Sequence, residues 1–177
     1  MVDLRRKVEE DRGLLKKIEL AIPGFRGYRK REDLRIADSV LRTQLADRIK
    51  NVGRDLEQCR ENLTRKMELD LMEEAGNLVS RITAVEGKVR HAEQGYTGVS
   101  ADYRIEEDEL NRLYEWDLGL ISRIDDLKTS VSMFRSAIDS DNKYTMKQEI
   151  SNINGKLRDF IELFEKRREA IAGLEVE

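Results

Sequence analysis

The sequence holds very little of what cross-linked, metal-clustered or turn-rich folds require: one cysteine, one proline, one histidine and one tryptophan among 177 residues. The single cysteine, Cys59, excludes an internal disulfide framework and a cysteine-based zinc finger. No apolar run approaches the roughly 18 residues that a membrane-spanning helix needs. The first residues are not followed by the apolar stretch of a secretion signal. We therefore expect a protein of a reducing compartment, the cytoplasm.

What the sequence does contain is charge and apolar residues in equal measure, 39% each. The apolar residues recur at steps of three, four or seven in four runs, over residues 34–63, 67–92, 110–138 and 146–174. This spacing is typical of helices packed on other helices, and no alternation of period two accompanies it. The fold class predicted is all-α: an antiparallel four-helix bundle of long, coiled-coil-like helices with an additional short N-terminal helix.

The breaks in this pattern predict a single helical domain over 1–177. We expect an N-terminal helix at 3–20, a first hairpin of 30–61 and 64–93, and a second hairpin of 106–138 and 143–174. The break near residues 61–64 is poorly marked, and residues 51–53 are another candidate. A continuous helix over 31–92 would be about 93 Å long. It would leave half of its apolar face in water unless a second copy of the chain covered it. The hairpin is therefore favoured over a continuous helix paired in a homodimer.

Two predicted loops, residues 23–31 and 95–104, combine glycine, tyrosine and arginine. In the favoured topology they lie at the same end of the bundle. Their aromatic rings either cap the open end of the core or form a surface that binds a protein partner. For the second alternative, the candidate partner-binding residues are Arg26, Tyr28, Arg29, Tyr96, Tyr103 and Arg104.

Charge is unevenly distributed, with a net +5 over residues 1–60 and a net −6 over residues 101–177. The basic part either attracts an anionic partner, such as a membrane surface, or pairs with the acidic part inside the bundle. We favour the second explanation. The isoelectric point near 5.5 argues against a nucleic-acid partner.

Motifs that would indicate catalysis or a cofactor do not fit the sequence. A di-iron bundle needs Glu-x-x-His on two helices. The only histidine is His91, and the glutamate position three residues before it is Lys88. A calcium loop beginning at Asp139 would need glycine where Tyr144 stands and glutamate where Ile150 stands. We expect no catalytic residue, no metal and no cofactor, and hence no enzyme.

Three stretches resemble a family of small, uncharacterised helical-bundle proteins of bacteria and archaea. They are IPGFRGY (22–28), followed by Asp38 and Arg42; GYTG (95–98); and LYEWD (113–117). The resemblance covers about a third of the chain. It implies a shared bundle and supplies no activity, cofactor or catalytic residue.

The function expected from the sequence is therefore non-enzymatic: a helical-bundle scaffold or interaction module that presents its Gly/Tyr/Arg-rich loops to a protein partner. The alternative is a peripheral membrane-associated or filament-forming coiled-coil protein that uses its basic N-terminal half. Its first helix is amphipathic, but it has neither Trp nor Phe to insert at a lipid interface.

Overall fold

The chain is helical throughout the described ranges. A computed structural model describes residues 4–27, 31–92 and 107–173. They form five helices and, within these ranges, no strand, which confirms the all-α prediction. The helices are α1 (Leu4–Ala21), α2 (Arg31–Arg65), α3 (Leu69–Arg90), α4 (Glu107–Asp139) and α5 (Lys143–Gly173). None of the described helices has an apolar stretch long enough to cross a bilayer.

The long middle region is two helices, and the turn between them lies a few residues later than residues 61–64. It is closed by a hydrogen bond from the Glu68 amide to the Leu63 carbonyl, 3.1 Å long, around Met67 at φ 60°. This is the Schellman arrangement, in which the residue after the helix adopts the left-handed conformation. Met67, expected on the apolar face of the second helix, is 84% exposed. Gly53, the other candidate break, lies inside α2.

The turn between α4 and α5 has the same construction. The Asn142 amide donates to the Ala137 carbonyl at 3.0 Å, around Asp141 at φ 59°. The Asn142 side chain then accepts a hydrogen bond from the Thr145 amide and so caps the start of α5. The sequence marked this turn with Asp, Ser and Asn, whose side chains favour such conformations.

The helices pack in pairs: α2 with α3, α4 with α5, α2 with α4, α3 with α5, and α1 with α4. The two turns lie together, because Lys66 Nζ donates to the Ile138 carbonyl and Lys143 pairs with Glu68 at 2.6 Å. We call this the turn end. A second region, where Arg42 contacts the Arg90 carbonyl and Arg167 contacts Asp38 and Asp117, we call the loop end.

One core cluster draws apolar side chains from all five helices. On α4, Trp116 continues the apolar spacing of the run over 110–138 but is half-buried, whereas its neighbour Asp117 is fully buried. On α5 the apolar pattern lacks a step at Arg167, and that arginine is itself buried. Two charged residues therefore occupy core positions near the loop end.

Ion pairs between the two hairpins run in both directions. Lys66 with Asp141 and Lys88 with Glu165 put the base on the N-terminal side. The Lys143–Glu68 pair puts it on the C-terminal side. Charge complementarity between the hairpins is thus local and reciprocal, and it does not follow simply from a basic half facing an acidic half.

Candidate functional site

At the loop end, the segment after α1 is folded back against the core. Pro23 and Gly24 stop the helix, and the Phe25 amide donates to the Ile22 carbonyl at 3.1 Å. Ile22 and Phe25 are buried, and the Phe25 ring meets Tyr114 of α4 edge-on, with 6.4 Å between ring centroids. Phe25 and Tyr114 thus cover this part of the core, whereas the loop tyrosines Tyr28, Tyr96 and Tyr103 lie outside the described residues.

Gly27 permits this close approach. It has φ +82°, and a Cβ there would lie 2.8 Å from the Tyr114 hydroxyl oxygen. A side chain at this position would therefore meet both an unfavourable backbone conformation and a steric clash. Two side chains of α2 also hold the segment: Gln44 donates to the Pro23 carbonyl at 2.8 Å, and Arg48 donates to the Ala21 carbonyl.

Three helices also form a buried ion cluster at the loop end. Arg167 of α5 donates from one guanidinium nitrogen to Asp38 of α2 and from another to Asp117 of α4, each at 2.5 Å. Asp38, Asp117 and Arg167 are 1%, 0% and 2% exposed. Charges this deeply buried are tolerated only when they are paired and hydrogen-bonded, which the planar arginine fork allows with two carboxylates at once.

The cluster extends to the fourth long helix through Arg42. Its Nε donates to the second oxygen of Asp38 at 2.6 Å, and its NH1 donates to the carbonyl of Arg90 at 3.1 Å, at the end of α3. Arg90 in turn pairs with Glu86 and with Asp47 of α2, and these carboxylates raise the pKa of its guanidinium. Connected hydrogen bonds therefore tie α2, α3, α4 and α5 together at the loop end.

The chemistry of this cluster is positional. Asp38 and Asp117 accept from guanidinium groups, which do not give up their protons at physiological pH. Among the described contacts, two carboxylates are balanced by two guanidinium groups, those of Arg42 and Arg167. Within the described residues no group of three or more histidine, cysteine or acidic side chains is placed to hold a metal ion. The described contacts fix the helices relative to one another.

Of the residues predicted to bind a partner, Arg26 is described, and its side chain is exposed at the loop end. The others, Tyr28, Arg29, Tyr96, Tyr103 and Arg104, lie outside the described residues. The described residues that flank both segments are at the loop end: Gly27 contacts α4, and Arg90 contacts the first part of α2.

Asp38, Arg42 and Asp117 all belong to the stretches that resemble small bundle proteins, but the apolar pattern alone does not predict that they form a cluster. Two signals could have revealed it. Asp38 and Arg42 stand four residues apart, the spacing of an ion pair on one helical face. Asp117 lies four residues after the buried Leu113, so it falls on the core face.

Comparison of the chain with protein-family models, curated proteins and solved structures finds no match.

Proposed function

We propose that this protein is a non-enzymatic scaffold or interaction module, and that its loop end binds a protein partner. The observation that carries the proposal is the buried ion cluster, which joins all four long helices at the end where the described neighbours of the predicted partner-binding segments, Gly27 and Arg90, lie. A rigid support reduces the ordering that binding requires, and arginine and tyrosine are common anchors of protein interfaces.

The same proposal includes the arrangement of the helices. We infer an antiparallel four-helix bundle in which α2 and α4 run one way, α3 and α5 run the other, and α1 packs on α4. The helix contacts described above support it. With 35 residues in α2, such a bundle is about 50 Å long. Small-angle scattering tests this: a maximum dimension approaching twice that length would contradict the inference.

The binding proposal is tested with a double variant at the loop end, Arg26→Ala/Tyr28→Ala, compared with wild type in quantitative affinity purification. Arg54→Ala/Tyr144→Ala is the matched control, because it removes the same two residue types from exposed positions away from the loop end. Partners lost by the loop-end variant and kept by the control support the proposal. Identical partner sets for all three proteins would contradict it.

The membrane-associated alternative would require α1 to leave its position. Ile18 and Ile22 are fully buried, so the described apolar face of this region is occupied by the core rather than available to lipid. Cosedimentation of the intact protein with anionic vesicles distinguishes the two functions. Salt-sensitive binding to anionic vesicles, absent with neutral ones, would favour the membrane alternative.

A further inference from the structure

A surface groove of about 700 Å³ runs between the second half of α4 and the start of α5, in the part of the molecule near the turn end. Its volume lies within the range of small-molecule sites. Its lining has five small hydroxyl residues, one methionine, one alanine, one side-chain amide, one carboxylate and one ammonium group. The lining residues are Lys128, Thr129, Ser132, Met133, Ser136, Ala137, Ser140, Asn142, Thr145 and Glu149.

Glu149 is the unusual member of this lining. It is 7% exposed, so its carboxylate is largely withdrawn from water. One oxygen, Oε1, accepts a hydrogen bond from Asn152 at 3.2 Å. The other, Oε2, is buried and accepts none from the described residues. A buried carboxylate oxygen without a donor is costly, and it indicates a missing hydrogen-bond donor at this position.

On the α4 side of the groove, three hydroxyl groups direct their hydrogens to the backbone. Thr129 donates to the Asp125 carbonyl at 2.9 Å, and Ser136 donates to the Ser132 carbonyl at 3.1 Å. Ser140 likewise donates to the backbone one turn earlier on α4. Each of these hydroxyls has a single hydrogen, so what it presents to the groove is its acceptor lone pairs. Of the three, Ser136 lies nearest the level of Glu149.

The same α4–α5 contact shows how an ammonium group fits there. Lys156, two helical turns after Glu149, places its Nζ 3.0 Å from the Asp126 carbonyl and 2.7 Å from the Ser130 hydroxyl. At this level of the α4–α5 contact, a single ammonium group thus donates hydrogen bonds to a carbonyl and to a hydroxyl of α4. At the level of Glu149, the groove offers the Ser136 hydroxyl and the carboxylate itself, and no ammonium of the described residues pairs with Glu149.

Lys128 defines the other end of the groove. Because Lys156 lies level with residues 126–130 of α4, Glu149 lies level with residues near 135. Lys128 is then about 10 Å away along the helix axis, given the rise per residue. Its side chain is exposed and positively charged, so this end favours an anionic group. Between the two charges lie hydroxyls and the side chains of Met133 and Ala137.

We propose that this groove binds a small, elongated zwitterion, with a primary ammonium group at Glu149 and a carboxylate toward Lys128. The aliphatic chain between the two charges lies against Met133 and Ala137. This site is separate from the loop end, and it does not depend on the function proposed above. The ligand is defined by its chemistry: an ω-amino acid with about five methylene groups matches the estimated separation of the charged ends.

The test is isothermal titration calorimetry of the intact protein with 6-aminohexanoate. The comparison ligand is hexanoate, which has the same chain and carboxylate but no ammonium group. Wild type is expected to bind 6-aminohexanoate saturably with one site and to bind hexanoate at least tenfold more weakly. Glu149→Gln keeps the side-chain size and removes the charge, so it should weaken 6-aminohexanoate binding at least tenfold, about 1.4 kcal/mol.

Glu162→Gln is the matched control, since it removes an exposed carboxylate from the same helix away from the groove. It should bind like wild type, and circular dichroism of both variants establishes that they are folded. The proposal is overturned if wild type shows no saturable binding or if hexanoate binds as well as the amino acid. It is also overturned if folded Glu149→Gln loses less than tenfold in affinity, or if Glu162→Gln loses as much as Glu149→Gln.

Discussion

Arg167→Met provides the sharpest test of the buried ion cluster. The substitution keeps an unbranched, apolar side chain and removes the guanidinium group, which leaves Asp117 and one oxygen of Asp38 without their arginine donor. Both carboxylates are at most 1% exposed, so water cannot replace the lost donor without local unfolding. Removing one partner of a buried pair costs about 3–5 kcal/mol. For a chain of this size, we expect Tm to fall by roughly 6–20 °C.

Arg168→Met is the matched control for that experiment. Arg168 is the next residue of α5; its side chain is 54% exposed and pairs with Glu165 at 2.7 Å. Exposed pairs contribute about 0–1 kcal/mol, because water and salt screen them. Urea denaturation followed by circular dichroism gives the free energy of unfolding of both variants. If Arg167→Met were no more destabilising than Arg168→Met, the cluster would not be the buried, mutually dependent set described above.

A triple variant separates the cost of unpaired charge from the value of the cluster itself. Replacing Asp38 and Asp117 with leucine and Arg167 with methionine removes the carboxylates that the single substitution leaves without their donor. Arg42 then loses its carboxylate partner, but its side chain is 14% exposed and it keeps its hydrogen bond to the Arg90 carbonyl. Apolar replacement of complete buried ion pairs is often neutral or stabilising. We expect the triple variant to recover most of the stability that Arg167→Met loses. If it were as unstable as Arg167→Met, packing around the arginine stem rather than unpaired carboxylates would explain the loss.

Three further predictions concern the turns and the surface. Gly27→Ala should destabilise the protein by about 1–3 kcal/mol, because residue 27 has a positive φ and the added Cβ would clash with Tyr114. Gly13→Ala should stabilise it by up to about 1 kcal/mol, because the added Cβ would enter open space within a helix. Thermal unfolding measures both. Met67→Gly should stabilise by about 1 kcal/mol, since a non-glycine residue at φ 60° is strained, and an unchanged urea midpoint would contradict this. The Lys88 ammonium lowers the pKa of Glu165 below its ordinary 4.5, so the ion pair stabilises the fold above that pH, and its contribution is lost as the pH falls through the lowered value. The difference in stability between wild type and Lys88→Met should therefore be present at neutral pH and shrink in acid, as urea unfolding across pH would measure.

The fold could be predicted from the sequence because helix packing leaves a periodic apolar pattern that needs no tertiary information. The α4–α5 turn was also readable, since Asp139, Ser140 and Asn142 are typical turn residues. The α2–α3 turn was misplaced because the residue in the left-handed conformation is Met67, which carries no turn signal. Met67 also continues the apolar spacing of the neighbouring helix, so the sequence predicts a buried side chain where the structure has an exposed one.

The buried cluster was harder to predict because its members are charged. A charged residue within an apolar pattern normally indicates an interruption or an exposed position. Arg167 becomes acceptable in the core only when Asp38 and Asp117, 129 and 50 residues away in sequence, meet it in the folded chain. That meeting depends on the relative rotation and height of three helices, which local patterns do not specify.

This dependence gives the cluster a consequence for the loop end. A slip of α5 by one turn would move Arg167 by about 5.4 Å and separate it from both Asp38 and Asp117. An apolar core would tolerate such a slip far better, because one aliphatic layer resembles the next. We infer that the cluster selects a single register of α5 against α2 and α4, and thereby one geometry of the loop end. The triple variant should then be stable yet less uniquely packed, with doubled or broadened amide signals near Tyr114 in NMR spectra; a single sharp set matching wild type would refute the inference.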